Sequence, residues 1–327
     1  MCGIFGYRGE GDTAQILMEG ISKLDYRGYD SVGFATLSNG SIVLQKAVGK
    51  IKDIKKKIAL DKLKGKIGIA HTRWSTHGIV NEENAHPHLS CDKKIAIVHN
   101  GIIENFQQLK DLLQKKGHSF TSETDSEVLA HLIEEERKTK NLREAVMAIL
   151  PKLRGRYALG VMEQGGNELI GVRKGSPLIV GVGKDETFLS SDVNAFLEHT
   201  NKSIILDDDE IVFIEEGVSV QDFSGKKISK KIQNIDASAL KAELGRFPHY
   251  MLKEIYEQPK TVENTLRHVT ERVKQLNLQP FNRVVLLACG TAYYACLIGS
   301  YYFEKFLRIS VDVQYASEFR YRNPVVD

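Results

Sequence analysis

The sequence predicts two regions of different fold class: an α+β domain of packed sheets with helices outside, then the start of an α/β domain. Beyond Pro151, short strand-like segments follow one another at close intervals with turn residues between them, which is typical of antiparallel sheet. Helical patterns precede these strands in the chain. Near residue 290, an apolar strand-like run leads through a glycine turn into a long helical pattern, the order found in α/β phosphate sites.

Composition excludes several classes of protein. The 327 residues, 42% of them hydrophobic, suffice for two domains with cores. The formal charge of +3 comes from 45 basic and 42 acidic residues spread along the chain, which does not match the basic face of a nucleic-acid binder. No apolar stretch approaches the ~20 residues of a membrane span, and the start lacks signal-peptide features. We therefore expect a soluble, cytoplasmic protein with neither a nucleic-acid nor a membrane partner.

The first elements are predicted to be a strand, a helix and a hairpin. The apolar start indicates the strand, and Asp12 can cap a helix that ends near Gly28. Runs rich in β-branched residues flank Asn39 and Gly40, the dipeptide that best fits a tight hairpin turn. Residues 51–66 have regularly spaced isoleucines among lysines and predict a solvated amphipathic helix.

Two strands and two helices are predicted next. One strand ends just before His71 and another ends at Asn100. Helices are expected over 105–116 and from residue 126 to about 138, the second capped from residues 124–125.

The remainder of the chain predicts the change of fold class. Antiparallel strands continue to about residue 222, and a polar segment without clear periodicity then reads as a linker, with a boundary near residue 240. A helix, a strand, a second helix and a further strand follow. The chain stops at Asp327, about one βαβ unit into this region, so we expect a domain that is truncated or that borrows a partner.

Cys2 stands directly behind the initiator methionine. Removal of Met1 would leave Cys2 with a free α-amine beside its thiol, so that one residue holds both nucleophile and base. An α-amine with a reference pKa of about 7.7 to 8.0 is partly unprotonated at neutral pH. The alternative is a small buried cysteine without a function. The apolar, glycine-containing sequence that follows favours catalysis, since chain ends are usually polar and frayed.

Other segments offer the groups that such a nucleophile needs. Asn100 and Gly101 provide an amide side chain and an unencumbered backbone N–H that would stabilise an oxyanion, although Asn-Gly is also the commonest tight turn. Arg73, beside Trp74, could hold a carboxylate or form a surface salt bridge. Asp125 could bind an ammonium group or only cap a helix.

Two further patterns carry less information. Gly290 and Thr291 at the strand-to-helix turn could hold a phosphate or serve packing. Several residues of the kinds that bind zinc fit no familiar ligand spacing, so we predict hydrogen-bonding histidines and no metal site. These residues are His71, His77, His86, His88 and Cys91. The four cysteines show no CxxC or paired spacing and are expected to be reduced thiols.

Nine motifs occur together and in order, and they resemble the glucosamine-6-phosphate synthase family, the isomerising glutamine:fructose-6-phosphate aminotransferases, over nearly the whole chain. The motifs are MCGIFGY, YRGYDS (26–31), GIAHTRWSTHG (68–78), NAHPH (84–88), VHNGIIEN (98–105), SETDSEV (122–128), HYMLKEIYEQP (249–259), LLACGTAYYA (286–295) and ASEFRYRNP (316–324).

The resemblance implies a fold and a division of labour. Residues 2–228 would form a class II glutamine amidotransferase (glutaminase) domain, a four-layer αββα sandwich of the N-terminal-nucleophile hydrolase type. Residues 229–246 would be a linker. Residues 247–327 would begin a flavodoxin-like sugar isomerase (SIS) domain, through which the complete family chain forms a homodimer.

The resemblance also implies roles. Cys2 would be the nucleophile with its amine as base, and Asn100 with the Gly101 N–H would form the oxyanion hole. The residues that would bind L-glutamine are Arg73 for its α-carboxylate, Asp125 for its α-ammonium, and Thr76 and His77 lining the pocket. The segment around Trp74 would close over the glutamine and gate an ammonia channel. Thr291 would contribute to fructose 6-phosphate binding, and no cofactor is implied.

Two departures from the family pattern matter. Ala292 stands where many relatives have serine, which removes one hydrogen bond to the sugar phosphate. The family's chain runs far past residue 327, so we expect glutaminase activity without synthase activity. The alternatives are another class II amidotransferase, of the phosphoribosyl-transferring or asparagine-forming type, and a catalytically silent sugar-phosphate sensor.

Overall fold

The computed structural model describes residues 2–54, 57–235, 246–248, 250–275, 277, 280–322 and 324–325. The chain divides into two compact units, Met1–Lys241 and Ala242–Asp327. We describe each unit by itself. Residues 236–245 of the predicted linker lie outside the described residues, and the predicted domain boundaries stay predictions.

The first unit contains two antiparallel sheets and five helices among its described residues. Its helices are α1 (Thr13–Ser22), α2 (Ile51–Ile54), α3 (Phe106–Lys115), α4 (Glu127–Arg137) and α5 (Leu142–Ile149). Its strands are β1 (Gly3–Gly9), β2 (Ser31–Ser38), β3 (Ser41–Val48), β4 (Ile67–Arg73), β5 (His88–Leu89), β6 (Ile95–Ile103), β7 (Gly155–Glu163), β8 (Leu169–Lys174), β9 (Ile179–Val182), β10 (Glu186–Ser190), β11 (Lys202–Ile205), β12 (Glu210–Ile214), β13 (Val218–Asp222), β14 (Lys227–Ile228) and β15 (Gln233–Asn234).

These elements form four layers. One sheet has the order β15-β11-β9-β10-β1-β4-β2-β3 and the other β14-β13-β12-β8-β7-β6-β5. A buried apolar cluster with residues from both sheets, including Ile69 and Val98, fills the space between them. A second cluster packs α1 against the first sheet, and a third packs α3, α4 and α5 against the second. The αββα sandwich is therefore confirmed, because each sheet buries one face on the other sheet and one face under helices.

Local chemistry explains the first elements. The Asp12 side chain accepts a hydrogen bond from the Gln15 N–H at 3.2 Å, which caps α1 as predicted, although the helix ends at Ser22 rather than near Gly28. The hairpin of β2 and β3 is confirmed, and its turn residues Asn39 and Gly40 have φ angles of 50° and 78°.

The prediction of one long helix over 51–66 is wrong. Among the described residues of this segment, Ile51–Ile54 form the single turn of α2, and residues 60–62 form a separate 3₁₀ turn. The Gln45 side chain holds both backbone groups of Ala59, donating to its carbonyl at 2.8 Å and accepting from its N–H at 2.7 Å. Because its N–H is bonded to Gln45, Ala59 cannot donate to a carbonyl one helical turn earlier.

Two predicted strands are longer than expected, and one helix was not predicted. β4 continues through His71 to Arg73, and β6 continues past Asn100 to Ile103. Asn100 and Gly101 thus pair with β7 inside the sheet, so the tight-turn alternative is wrong. The missed helix is α5. The antiparallel strands beyond Pro151 are confirmed.

The second unit contains three helices and one pair of parallel strands among its described residues. They are α6 (Tyr250–Val273), β16 (Arg283–Ala288), α7 (Thr291–Leu307), β17 (Ser310–Tyr315) and α8 (Ala316–Tyr321). The predicted strand, turn, helix and strand order is confirmed. Among the helices in the described part of the chain, none combines the length and apolar character that crossing a membrane requires.

Candidate active site

Cys2 lies just before β1, the strand that runs between β10 and β4 in the first sheet. The antiparallel pairing of β1 with β4 places Gly3 opposite Thr72, and this brings Cys2 beside Trp74. The Cys2 Sγ accepts a hydrogen bond from the Trp74 N–H at 3.2 Å and lies 3.4 Å from its carbonyl oxygen. Burial raises the pKa of the Cys2 thiol, so a nearby base is needed to form the thiolate.

Asn100 reaches Cys2 from the second sheet. Its Nδ2 donates to the Cys2 carbonyl oxygen at 3.0 Å and to the Ser191 Oγ at 2.9 Å. The adjacent Gly101 has a φ of +121°, and a side chain there would place its Cβ 2.0 Å from the Arg156 carbonyl oxygen. Glycine is therefore required at this position, next to the amide that faces the thiol residue.

His71 fixes the orientation of that amide. Its Nε2 lies 2.9 Å from Asn100 Oδ1 and 3.0 Å from the His99 carbonyl oxygen. Both partners are acceptors, so the Nε2 must carry the proton and donate to them. Burial lowers the pKa of His71 to about 3, which keeps the ring neutral at physiological pH. The Asn100 oxygen thus points to His71 and its nitrogen to Cys2.

The other histidines near His71 form a buried group. His86 stacks on His71 with ring centroids 4.1 Å apart, and its Nδ1 accepts the His99 backbone N–H at 3.2 Å. His88 contacts the Thr124 hydroxyl at 3.1 Å. Burial lowers the pKa values of His86, His88 and His99 as well, so these rings act as neutral packing and hydrogen-bonding groups.

Arg73 is buried at the end of β4, and its guanidinium donates to backbone carbonyls of the following loop. The acceptors are His77, Gly78 at 3.4 Å and Ile79 at 3.2 Å. This arrangement contradicts the surface salt-bridge alternative. It places a buried cation close to the segment that begins at Trp74.

Asp125 is also buried, and it ties the start of α4 to the end of β6. Its Oδ2 accepts the Ile103 N–H at 2.7 Å. The residue before the helix, Ser126, makes no side-chain cap. The N-cap position of α4 thus belongs to Ser126, and the Asp125 carboxylate serves the strand that carries Asn100.

The loop after β4 brings three predicted residues to the surface. Trp74 is 43% exposed and meets Tyr29 edge-on, with ring centroids 5.3 Å apart. Thr76 is exposed, and its Oγ1 lies 3.3 Å from the His77 Nδ1. His77 packs edge-on against Phe106. The loop thus contacts the Cys2 thiol through the Trp74 backbone, and the Ser75 N–H anchors it to the Asp30 carboxylate at 2.7 Å.

Two site residues were missed from the sequence. The Ser191 Oγ accepts from the Ile4 N–H at 2.9 Å as well as from Asn100. The Arg27 Nε donates to the Cys2 carbonyl oxygen at 3.0 Å. Ser191 has no sequence signal beyond its place after a strand, whereas Arg27 lies within the motif YRGYDS, which had been given no role.

Thr291 lies in the second unit. It is the exposed first residue of α7 and follows Gly290, whose φ of +60° makes the turn from β16. This strand, glycine turn and helix start is the local geometry expected of a phosphate site. The structure does not bring Thr291 together with the other predicted residues within one unit.

Comparison with protein-family models identifies both units. A model of the glutamine amidotransferase domain matches residues 71–198, and a model of the SIS domain matches residues 277–327. The first match includes His71, Arg73, Asn100 and Asp125.

Curated relatives match over nearly all of the chain. The glutamine–fructose-6-phosphate aminotransferase (isomerizing) of Aquifex aeolicus is 46% identical over 332 residues, covering 100% of this chain and 56% of the relative. Enzymes of the same name from Pyrococcus horikoshii and Clostridium tetani are 46% and 44% identical, covering 98% and 100% of this chain and 55% and 56% of themselves. The chain thus spans about half the length of the curated relatives it matches.

Two solved structures share the fold. A glutamine phosphoribosylpyrophosphate amidotransferase from B. subtilis superposes with a TM-score of 0.62 at 23% identity, covering 100% of this chain and 71% of that one. A structure described as the allosteric regulatory enzyme of purine biosynthesis gives a TM-score of 0.61 at 30% identity, covering 68% of this chain and 49% of that one. The chain therefore combines a class II glutamine amidotransferase domain with SIS-domain sequence, and it is a relative of the glutamine–fructose-6-phosphate aminotransferases.

Proposed function

We propose that the first unit hydrolyses the side-chain amide of L-glutamine, with Cys2 as the nucleophile. The observation that carries this proposal is the convergence on Cys2 of two donors, the Trp74 N–H from the loop after β4 and the Asn100 amide from β6 of the other sheet. A structural cysteine would need neither the oriented amide nor the glycine beside it. The buried Arg73 and Asp125 supply the opposite charges that a zwitterionic amino acid requires.

The proposed reaction begins once Met1 has been removed. The Cys2 amine takes the thiol proton, and the sulfur forms a bond to the glutamine δ-carbon while its carbonyl becomes an oxyanion. In the resting geometry Asn100 donates to the Cys2 carbonyl oxygen, so one N–H must turn toward the oxyanion beside the Gly101 N–H. The C–N bond then breaks, and the amine returns its proton to the departing ammonia.

Water completes the cycle. It attacks the thioester while the Cys2 amine takes its proton, and collapse releases glutamate and restores the thiol. The amine acts as base for attack and as acid for departure in each half of the reaction. Arg73 would bind the glutamine α-carboxylate and Asp125 its α-ammonium, and Thr76, His77 and Trp74 would close the pocket.

The proposal extends to the acceptor of the released ammonia. The relatives' names and the SIS match favour transfer to fructose 6-phosphate, with Thr291 contributing to phosphate binding in the second unit. Residues 2–228 would be the glutaminase domain, 229–246 the linker and 247–327 SIS-domain sequence. In the complete family chain, that domain would mediate homodimer formation.

The experiment that tests the proposal measures glutamate release from glutamine, with and without fructose 6-phosphate, alongside N-terminal mass spectrometry. We expect a chain that begins at Cys2 and hydrolyses glutamine, and a loss of at least about 10³-fold in kcat in Cys2→Ala. Cys289→Ser, an exposed cysteine of the second unit, is the matched control and should keep full activity.

Two results would contradict the proposal. One is wild-type glutamate release by Cys2→Ala. The other is full activity in a chain that retains Met1, because the amine would then belong to the wrong residue. Absence of release by the wild type under both conditions would favour a silent sugar-phosphate sensor.

A further inference from the structure

A second cluster of reactive side chains lies in the first unit, built from elements other than those at Cys2. Cys91 sits in the turn between β5 and β6, His118 follows α3, and His131 and Glu134 lie on α4. One ligand-type atom from each of these four residues lies within 4.8 Å of all the others. We propose that this Cys-His-His-Glu cluster binds a structural Zn²⁺ ion.

Four of the six distances between these atoms match the edges of a tetrahedral zinc site. The Cys91 Sγ lies 3.7 Å from His118 Nδ1 and 3.4 Å from His131 Nδ1. The Glu134 Oε2 lies 3.0 Å and 3.4 Å from the same two nitrogens. Ordinary zinc bonds at tetrahedral angles give about 3.6 Å between sulfur and nitrogen and about 3.4 Å between nitrogen and oxygen. Little movement would bring all four atoms to bonding distance of one ion.

Each of the two histidines has a carboxylate beside its Nε2 atom. The His118 Nε2 lies 3.1 Å from Glu135 Oε2, and the His131 Nε2 lies 3.4 Å from Glu127 Oε1. A metal-bound histidine usually donates its other ring N–H to such a partner, which fixes the tautomer and turns the free nitrogen to the ion. Here both Nδ1 atoms face the cluster and both Nε2 atoms face a carboxylate.

The same geometry is poorly explained by hydrogen bonds alone. Each ring has a carboxylate oxygen near both nitrogens, and an imidazole with one N–H can donate to only one of them. The two rings are 8% and 1% exposed, and their centroids are 5.4 Å apart. A Zn²⁺ ion would leave both rings neutral and would be balanced by the Cys91 thiolate and the Glu134 carboxylate.

Backbone contacts hold the outer ligands in place. The Glu134 carboxylate accepts the N–H groups of Cys91 at 3.1 Å and Asp92 at 3.0 Å, and the Cys91 Sγ accepts the Ser119 N–H at 3.4 Å. Cys91 itself is exposed, which gives an ion access from solvent. With one thiolate, two imidazoles and one carboxylate, the cluster suits zinc, and four protein ligands make a closed structural site.

The experiment uses the full chain, expressed without a histidine tag and dialysed against metal-free buffer after incubation with ZnCl₂. Mass-spectrometric metal analysis should find about one zinc per chain in the wild type and in the control Cys289→Ser. Cys91→Ser, His118→Gln and Glu134→Gln should each retain less than about a tenth of that amount.

Co²⁺ in place of zinc provides a second measurement. The wild type should show a sulfur-to-cobalt charge-transfer band and the visible bands of a tetrahedral site, and Cys91→Ser should lose the charge-transfer band. Thermal unfolding of the metal-free variants checks that they are folded. Wild-type metal content no higher than that of Cys91→Ser, or identical cobalt spectra in both proteins, would overturn the proposal. Glutaminase activity is not the readout, so this test is independent of the proposed reaction.

Discussion

The two units bury their side chains very differently. The first unit closes three apolar clusters around its two sheets, and its candidate site lies against them. In the second unit, Ser300 is the one buried residue among those described, and the residues of its two-stranded sheet are half-buried or exposed. Apolar side chains of α6, including Ile255, Leu266 and Val269, are exposed.

This difference separates two kinds of site. In the first unit, residues far apart in sequence are fixed relative to one another by a packed core, as with Cys2 and Asn100, 98 residues apart. In the second unit, the predicted phosphate group at Gly290 and Thr291 depends on one local turn. The chemistry at Cys2 should therefore depend on contacts within the first unit.

Among the residues around Cys2, the largest expected effect is that of removing the oxyanion donor. Asn100→Ala should lower kcat for glutamine hydrolysis by about 10²- to 10³-fold, because one N–H would no longer face the developing charge. Steady-state kinetics should show a smaller change in KM. Thr291→Val in the second unit is the comparison, and it should leave glutamine hydrolysis unchanged. Equal losses in the two variants would contradict the division of labour.

His71 should affect glutamine hydrolysis only through the orientation of the Asn100 amide. His71→Leu removes the donor that orients the amide and should lower kcat by about 10- to 100-fold. His71→Gln, whose Nε2 can replace the ring donor, should recover most of this loss. If Leu and Gln variants behaved alike, the positioning role of His71 would be wrong.

The buried histidines should make the first unit sensitive to acid. His71 has a pKa of about 3 in the folded unit, below the unfolded value of about 6.5, so the unfolded chain binds a proton that the folded chain does not. The contribution of His71 to the free energy of unfolding is therefore fully present above pH 6.5. It declines by about 1.4 kcal/mol per pH unit as the pH falls toward 3.

Urea denaturation between pH 7.5 and 5 would measure this slope. The signal can be the fluorescence of Trp74, the chain's one tryptophan, which lies in the first unit. His71→Gln cannot titrate and should show a shallower pH dependence than the wild type. The same slope in both proteins would show that His71 is protonated before unfolding.

The smallest effect is expected at Trp74 itself. Glutamine added to Cys2→Ser should shift its emission to shorter wavelength, because closure of the loop would cover a side chain that is 43% exposed. Fluorescence titration would measure the shift, and D-glutamine is the control. No change on addition of saturating glutamine would indicate that this loop does not close over the substrate.

The sequence by itself determined much of this protein. Periodicity and turn chemistry located the strands, most helices and the Asn39-Gly40 hairpin, because those signals are local. Motif resemblance gave the fold and the domain order, both confirmed by the structure and the comparisons.

Only the tertiary structure decided which residues contact one another at the candidate active site. The sequence left Asn100 and Gly101 as a possible turn, whereas pairing with β7 makes them part of a strand that faces Cys2. Neither Ser191 nor the motif that contains Arg27 indicated its partner, because a hydrogen bond between distant segments leaves no periodic pattern.

The proposed zinc ligands were missed for the same reason. Cys91 and His118 are 27 residues apart and come together only where a strand turn, a helix end and α4 pack on one core. Sequence spacing records how the chain is connected, whereas a site depends on which atoms the packed core holds within a few ångströms of each other.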